Sequence, residues 1–206
     1  MKHPFYSIFN NLKTKKIACI GDIMIDYFVE GEVSRISPEA PVPVLLRKRS
    51  TEVLGGCGNV IRNLNSLEVM VEVCSVIGKD SVGEKLKSLL AQLPKVTSTL
   101  IESTERPTTH KTRFITHGHQ LLRVDEETSG SISQALEDEV VAWLEKKIKG
   151  LSALVLSDYN KGVLTPSLIQ RLIDLAQKHK VFATIDPKGN DYSIYAGADL
   201  LTPNLK

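Results

Sequence analysis

A glycine-rich turn that leads into a helix is the stretch of this sequence best suited to hold a polar ligand. It reads Leu54-Gly55-Gly56-Cys57-Gly58-Asn59-Val60. Glycine accepts positive φ and lets another group approach the backbone without a Cβ in the way. A helix predicted over 59–67 points its free N–H groups and its positive end at the turn, and Asn59 adds a donor and an acceptor. The turn suits a polyhydroxylated or phosphorylated ligand, although a tight strand-to-helix connection without a ligand explains the glycines equally well.

Charged and amide side chains follow the predicted strands at several points, each just past the carboxyl end of a strand. Ligands of open α/β sheets bind along that edge, so these side chains are expected to line one rim. Carboxylates and amides suit sugar hydroxyls, whereas lysine and arginine suit a phosphate. Each residue alone is more typical of a solvated surface, and Asp22 more than Asp26 is expected to cap a turn, but the repetition predicts a site for a phosphorylated sugar. The residues are Asp22, Asp26, Asn59, Asp158, Lys161, Asp186, Lys188 and Asn204.

A second group of extended segments is predicted to form a small antiparallel sheet that stands off the core as a lid. Prolines at positions 38, 41 and 43 argue against a central strand, so strands are predicted at the edges, over 28–33 and 42–47. His117-Gly118-His119 has hairpin spacing with glycine in the turn, which joins strands over 111–116 and 120–124. The lid supplies further candidate ligands, namely Lys111, Arg113, Gln120, Arg123 and Asp125.

The remaining elements predict a doubly wound, Rossmann-like parallel sheet of the α/β class, in the order β-α-β-α-β-α-β-β. Ser81 and Glu84 have capping-box spacing, and Thr165-Pro166 has the pattern of an N-cap followed by the first helical position. Trp143 lies beside the apolar face of its helix and is predicted to pack rather than to stack on a ligand. The strands are predicted over 17–20, 69–77, 153–157, 181–185 and 199–201, and the helices over 59–67, 81–93, 133–149 and 166–180.

Composition excludes several classes of protein. A chain of 206 residues with 42% hydrophobic residues and a net charge of +2 is typical of one soluble domain and not of a nucleic-acid-binding protein. No apolar run is long enough to span a bilayer, and the N-terminus does not resemble a signal peptide. Three cysteines without CxxC spacing and five histidines without metal spacing predict neither a disulfide framework nor a metal site. We therefore expect a cytoplasmic protein with no nucleic-acid or membrane partner.

Three consecutive motifs resemble those of the ribokinase-like (PfkB-type) sugar kinases. They are Gly21-Asp22-Ile23-Met24-Ile25-Asp26, then Gly-Glu-Val-Ser-Arg-Ile-Ser-Pro-Glu-Ala-Pro-Val-Pro-Val over 31–44, then Gly55-Gly56-x-x-Asn59-Val60. The second motif is specific, and it makes the chain most similar to the D-glycero-beta-D-manno-heptose-7-phosphate kinases, including the kinase half of the bifunctional heptose kinase/adenylyltransferase. Further matches follow in order up to 201–204, so the resemblance covers the chain after about residue 15.

This resemblance implies a phosphotransferase that moves the γ-phosphate of ATP, with Mg²⁺, to the anomeric hydroxyl of heptose 7-phosphate for lipopolysaccharide core biosynthesis. It also implies a homodimer formed through the lid. Asn204 would begin an Asn-x-x-Glu motif that organises magnesium and triphosphate. Asp26, Gly55, Gly56 and Asn59 would hold sugar hydroxyls, and Lys111, Arg113, Arg123, Lys161 and Lys188 would be candidates for the 7-phosphate or the transferring phosphoryl group.

The sequence departs from the family pattern at two places. Cys57-Gly58 stands where the family usually has alanines, and Lys206 precedes both the Glu of Asn-x-x-Glu and the Gly-Ala-Gly-Asp stretch with the general-base Asp. Residues 1–206 are therefore interpreted as the N-terminal portion of one kinase domain, with lid strands inserted at about 28–47 and 111–124, and with catalytic residues expected beyond Lys206. The alternatives are a non-catalytic remnant that binds a sugar phosphate or only dimerises, and a ribokinase-like kinase for another sugar.

Overall fold

The computed structural model describes residues 5–189 and 191–204. No helix in this described part is long and apolar enough to cross a membrane. The helices are α1 (Phe5–Leu12), α2 (Cys57–Ser66), α3 (Ser81–Ala91), α4 (Gln134–Lys147) and α5 (Pro166–His179), with a 3₁₀ turn over Ser193–Tyr195. The strands are β1 (Lys16–Gly21), β2 (Ile23–Ile36), β3 (Pro43–Gly56), β4 (Met70–Gly78), β5 (Val96–Ser103), β6 (His110–Thr116), β7 (His119–Glu126), β8 (Ala153–Ser157), β9 (Phe182–Asp186) and β10 (Leu200–Leu201).

The main sheet has six strands in the order β10-β9-β8-β1-β4-β5, and every neighbouring pair in it is parallel. Alternate residues of β1 face opposite sides of the sheet, as the pleat of a strand requires. Cys19 packs in an apolar cluster with Ile61 of α2 and Leu86 of α3. Ile20 packs in a second cluster with helices α4 and α5, where Leu144 is fully buried. The predicted doubly wound α/β fold is thereby confirmed.

The carboxyl ends of the central strands are level with one another. Gly21 at the end of β1 pairs with Ser157 at the end of β8, and Ser157 pairs with Asp186 at the end of β9. Loops that follow these strands therefore leave the sheet at the same edge, which is the edge expected to carry ligands.

The predicted lid is present as a four-stranded sheet in the order β3-β2-β6-β7. It is mixed and not wholly antiparallel as predicted, because β2 and β6 run parallel, and its first two strands are much longer than expected. β2 and β3 have 14 residues each, and Ile23 pairs with Gly56. β3 therefore ends in the glycine turn itself. The lid is thus directly continuous with the edge of the main sheet where the carboxyl ends of its central strands lie. Pro43 occupies the first position of β3, where a missing N–H is tolerated.

Three further features differ from the sequence-based expectation. Helix α1 was not predicted. β5 was not predicted, because Thr97, Ser98 and Thr99 interrupt its apolar pattern, and it forms the outer edge of the sheet beside β4. The capping-box assignment at Ser81 is wrong, because Asp80 is the N-cap of α3 and accepts a hydrogen bond from the Gly83 N–H at 2.7 Å.

Two local predictions in the second half of the chain are confirmed. Thr165 caps α5 by accepting a hydrogen bond from the Leu168 N–H at 3.0 Å, and Pro166 is the first helical residue. The ring of Trp143 is buried in the core, and its Nε1 donates to Thr99 Oγ1 at 3.1 Å. The indole is thus a packing group with a satisfied N–H.

Candidate functional site

A pocket of about 340 Å³ lies between the glycine turn, the first turns of α2 and the strands of the lid. Other hollows of similar size exist, for example one of about 380 Å³ beside Lys79 and Arg106. The pocket at the glycine turn is distinguished by its chemistry, since it combines a carboxylate and an amide with several cations. Seven residues that the sequence singled out line it together: Asp26, Gly55, Gly56, Asn59, Lys111, Arg113 and Arg123.

The two consecutive glycines are required by close backbone approaches. A Cβ on Gly55 would lie 2.2 Å from Oδ2 of Asp26, and a Cβ on Gly56 would lie 2.4 Å from the backbone oxygen of Asp22. Gly56 also has φ +57° and ψ −131°, a combination that residues with a side chain avoid. α2 begins at Cys57, two residues earlier than predicted, which leaves Asn59 exposed in its first turn.

Asp26 and Arg113 form an ion pair on the pocket wall. Nη1 of Arg113 donates to Oδ1 of Asp26 at 2.5 Å, from the neighbouring strand of the lid. The guanidinium carbon also lies 5.3 Å from the ring centroid of Phe28, a distance suited to a cation–π contact. The pair fixes the orientation of the Asp26 carboxylate next to Gly55.

A chain of charges joins the lid to the loop after β8. Lys111 Nζ donates to Asp125 at 2.8 Å and to Glu127 at 2.5 Å, and Lys161 Nζ donates to Glu127 at 2.7 Å. Arg123 Nε donates to Asp125 at 2.8 Å. Burial alone would raise the pKa of Glu127, but the hydrogen bonds from the two lysines lower it. The pKa of Asp125 is lowered chiefly by its hydrogen bond from Lys111, so both carboxylates are ionised.

Asp22 holds the loop after β8 in place and does not line the pocket. Its buried carboxylate accepts hydrogen bonds from the backbone N–H groups of Tyr159 at 2.9 Å, Lys161 at 3.0 Å and Val163 at 3.1 Å. Burial raises the pKa of Asp22, and these three N–H groups oppose the rise. Asp22 thus caps a turn, as expected, but the turn belongs to the distant loop after β8 and not to the chain next to Asp22. Tyr159 of that loop lines the pocket.

The comparisons with known proteins agree with this arrangement. Residues 14–206 match the model of the pfkB family carbohydrate kinases. The chain belongs to this family. Bifunctional protein HldE of Aliarcobacter butzleri is 48% identical over 194 residues, which cover 94% of this chain and 41% of that protein. The HldE of Wolinella succinogenes is 45% identical over 190 residues, covering 92% of this chain and 40% of its own length.

A solved structure extends the family match to the fold. Arabidopsis thaliana ribokinase, solved in complex with ribose and ATP, superposes with a TM-score of 0.59 at 17% identity, over 92% of this chain and 60% of its own. At that identity the likeness concerns the fold alone. The chain spans about two fifths of the length of the two HldE relatives, so it corresponds to part of each of those proteins.

Several predicted site residues of this pfkB chain lie outside the pocket lining. Asp158 is buried, with Oδ1 accepting from the Asn160 N–H at 2.7 Å and Oδ2 from the Tyr195 hydroxyl at 2.6 Å, so it stabilises the loop and the 3₁₀ turn. Asp186 and Lys188 do not line the pocket either. Burial raises the pKa of Asp186, and the positive charge of Lys188 partly offsets that rise. The other predicted residues outside the lining are Gln120, exposed on β7, and Asp125 and Lys161, which act through the charge chain.

The described residues do not present a donor set for the Mg²⁺ that the family implies. No three His, Cys, Asp or Glu side chains lie together as metal ligands within 5–189 and 191–204. Asn204, the predicted start of the metal-organising motif, is exposed at the end of the described range. The pocket lining itself combines one carboxylate and one amide with four cationic side chains.

Five lining residues were not among the predicted site residues, namely Met24, Val53, Leu54, Arg62 and Tyr159. Arg62 follows Asn59 by one helical turn, and residues three apart share a face of a helix. That spacing could have identified Arg62, whereas Met24 carries no polar signal. Tyr159 could have been found from its position between Asp158 and Lys161.

Proposed function

We propose that residues 1–206 are the N-terminal, sugar-binding portion of one kinase domain that phosphorylates the anomeric hydroxyl of D-glycero-D-manno-heptose 7-phosphate. ATP and Mg²⁺ would take part, and the product would serve lipopolysaccharide core biosynthesis. The composition of the pocket carries the proposal, because one carboxylate and one amide stand beside four cationic side chains. The resemblance to heptose-7-phosphate kinases and the match to the HldE proteins support it.

One wall of the pocket, formed by Asp26, Asn59, Gly55 and Gly56, can hydrogen-bond sugar hydroxyls at close range. Asp26 accepts from hydroxyls in an orientation held by Arg113, and Asn59 can both donate and accept. Gly55 and Gly56 lack side chains at the point where a sugar would approach the backbone. A polyol with several hydroxyls would therefore find acceptors and donors already in place, which lowers the entropy cost of binding.

The cationic wall of the lid suits the transferring phosphoryl group. Lys111, Arg113 and Arg123 enter the pocket from two strands of the lid. Phosphoryl transfer depends mainly on positioning and on neutralising charge, and this wall supplies positive charge beside the sugar.

One experiment tests the proposal. The purified chain is titrated with D-glycero-D-manno-heptose 7-phosphate by calorimetry. We expect saturable binding of the sugar phosphate. A folded chain that does not bind it contradicts the proposal.

We also propose that two copies associate through the lid. The lid exposes large apolar side chains on three of its strands, with Ile36 60% exposed, Leu46 61% and Leu122 57%. Exposed apolar side chains on the lid are available to a partner, and the resemblance to heptose-7-phosphate kinases implies a homodimer formed through the lid. A second copy of the chain would cover them, and the closed symmetry of a homodimer is the commonest solution.

A further inference from the structure

Arg62 is the one cation lining the pocket that has no ion pair and no side-chain hydrogen bond within the part of the chain that the structure describes. It projects from α2, one turn after Asn59, and its side chain is exposed at the pocket. We propose that Arg62 binds the phosphate group of the sugar phosphate and makes the pocket prefer a phosphorylated sugar over the free sugar. This inference rests on the proposed function.

The other cations of the pocket are already engaged by carboxylates. Arg113 pairs with Asp26, and Lys111 pairs with both Asp125 and Glu127. Arg123 pairs with Asp125 as well. A phosphate that approached these cations would meet the carboxylates too, and like charges a few ångströms apart repel. Their attraction for an anion is therefore partly cancelled before the ligand arrives.

Arg62 differs from them in charge balance and in direction of approach. It stands on α2 and not on the lid, and the amino-terminal end of this helix carries partial positive charge toward the glycine turn. The planar guanidinium can donate two parallel hydrogen bonds to one phosphate, which a lysine cannot do. A sugar bound by Asp26 and Asn59 could thus present its phosphate to Arg62 without breaking an existing ion pair.

The test compares two ligands across matched variants of the full 206-residue chain. Arg62→Gln removes the charge, Arg62→Lys keeps the charge but loses the bidentate geometry, and Lys178→Gln removes a charge from an exposed position on α5. Each is titrated with D-glycero-D-manno-heptose 7-phosphate and with the unphosphorylated heptose. Circular dichroism and the melting temperature verify that every variant is folded.

We expect Arg62→Gln to weaken binding of the phosphorylated heptose by about tenfold to one hundredfold and to leave binding of the free heptose unchanged. The affinity of Arg62→Lys for the phosphorylated heptose should lie between those of the wild type and Arg62→Gln. Lys178→Gln should bind with the affinity of the wild type. Wild-type affinity of Arg62→Gln for the phosphorylated heptose, or an equal loss for both sugars, would overturn the role of Arg62 while the proposed function stands. A wild-type chain that binds neither sugar would overturn both.

Discussion

Arg113 and Asp26 are joined across adjacent strands of the lid by a hydrogen bond of 2.5 Å between charged groups. Their side chains are 22% and 19% exposed, so the pair is partly shielded from water. Because Phe28 also packs near the guanidinium, Arg113 is held from two sides. Asp26 is consequently an oriented acceptor rather than a mobile surface carboxylate.

Replacing Asp26 by asparagine should weaken binding of heptose 7-phosphate by about tenfold to one hundredfold. The amide keeps the shape of the carboxylate but loses its charge, and hydrogen bonds to charged groups are the stronger ones. Calorimetric titration measures the loss. Asp174→Asn, at an exposed position of α5, is the matched control and should bind as the wild type does. Equal affinities of the Asp26 variant and the wild type would remove Asp26 from the binding site.

Gly56→Ala should destabilise the fold by about 2–4 kcal/mol. The added Cβ would lie 2.4 Å from the Asp22 backbone oxygen, in a residue with φ +57°. Gly118→Ala separates the two causes, because Gly118 has φ +79° and no heavy atom within 4 Å of its Cβ position. Its cost should be only about 1 kcal/mol, from the backbone alone. Urea unfolding measures both, and equal losses would show that the close approach at Gly56 is unimportant.

Asp80→Ala should lower stability by about 1–3 kcal/mol at pH 7, because the carboxylate caps α3 and accepts from the Thr108 N–H at 2.8 Å. Burial alone would raise the pKa of Asp80, but the N–H bonds from Thr108 and Gly83 bring it below the ordinary value of 3.8. A lowered pKa in the folded state contributes stability above the ordinary pKa and loses it as the pH falls through the folded value.

The difference in unfolding free energy between wild type and Asp80→Ala should therefore be full at pH 7 and should shrink below about pH 4. Urea titrations at several pH values provide the comparison. Ser81→Ala is the control, since Ser81 occupies the first helical position and not the cap, and it should cost little at any pH. A difference in unfolding free energy that stays constant down to pH 2 would argue that the Asp80 cap is not ionised.

The double substitution Leu46→Ser with Leu122→Ser should convert a dimer into a monomer. Both side chains are exposed on the lid, and burying each leucine against a second copy contributes up to about 1.5–3 kcal/mol. Phe182→Ser is the control, because Phe182 is 47% exposed but lies on β9 of the main sheet. Sedimentation velocity gives the oligomeric state, and a wild type that sediments as a monomer would rule out this interface.

The sequence predicts the elements whose signals are local. Thr165-Pro166 marks the start of α5 because the cap and the ring act within one turn, and His117-Gly118-His119 marks the hairpin for the same reason. β5 escapes prediction because its polar residues face solvent at the sheet edge. The predicted N-cap of α3 is wrong by one residue. Asp80 and Ser81 can both cap a helix, and only the backbone geometry decides between them.

The site is predictable where a strand end or a motif marks it. Asp26 and Asn59 were found in this way, and they meet in one pocket. Asp158 also follows a strand, yet it is engaged by Tyr195, 37 residues later in the chain, and no local pattern shows such a partner. Arg62 lies inside a helix, where an exposed arginine is ordinary, so its place at the pocket depends on how α2 is oriented against the lid.

The three hydrogen bonds of Asp22 have a consequence for the order of assembly. The shortest of these contacts in sequence joins residues 137 positions apart, so the loop that carries Tyr159 cannot be set until β8 has docked beside β1. A chain emerging from the ribosome must keep the Asp22 carboxylate hydrated until residue 163 is available. Closing so long a loop is entropically costly and comes late. Because Tyr159 lines the pocket, ligand binding by this protein also depends on the pairing of β1 with β8.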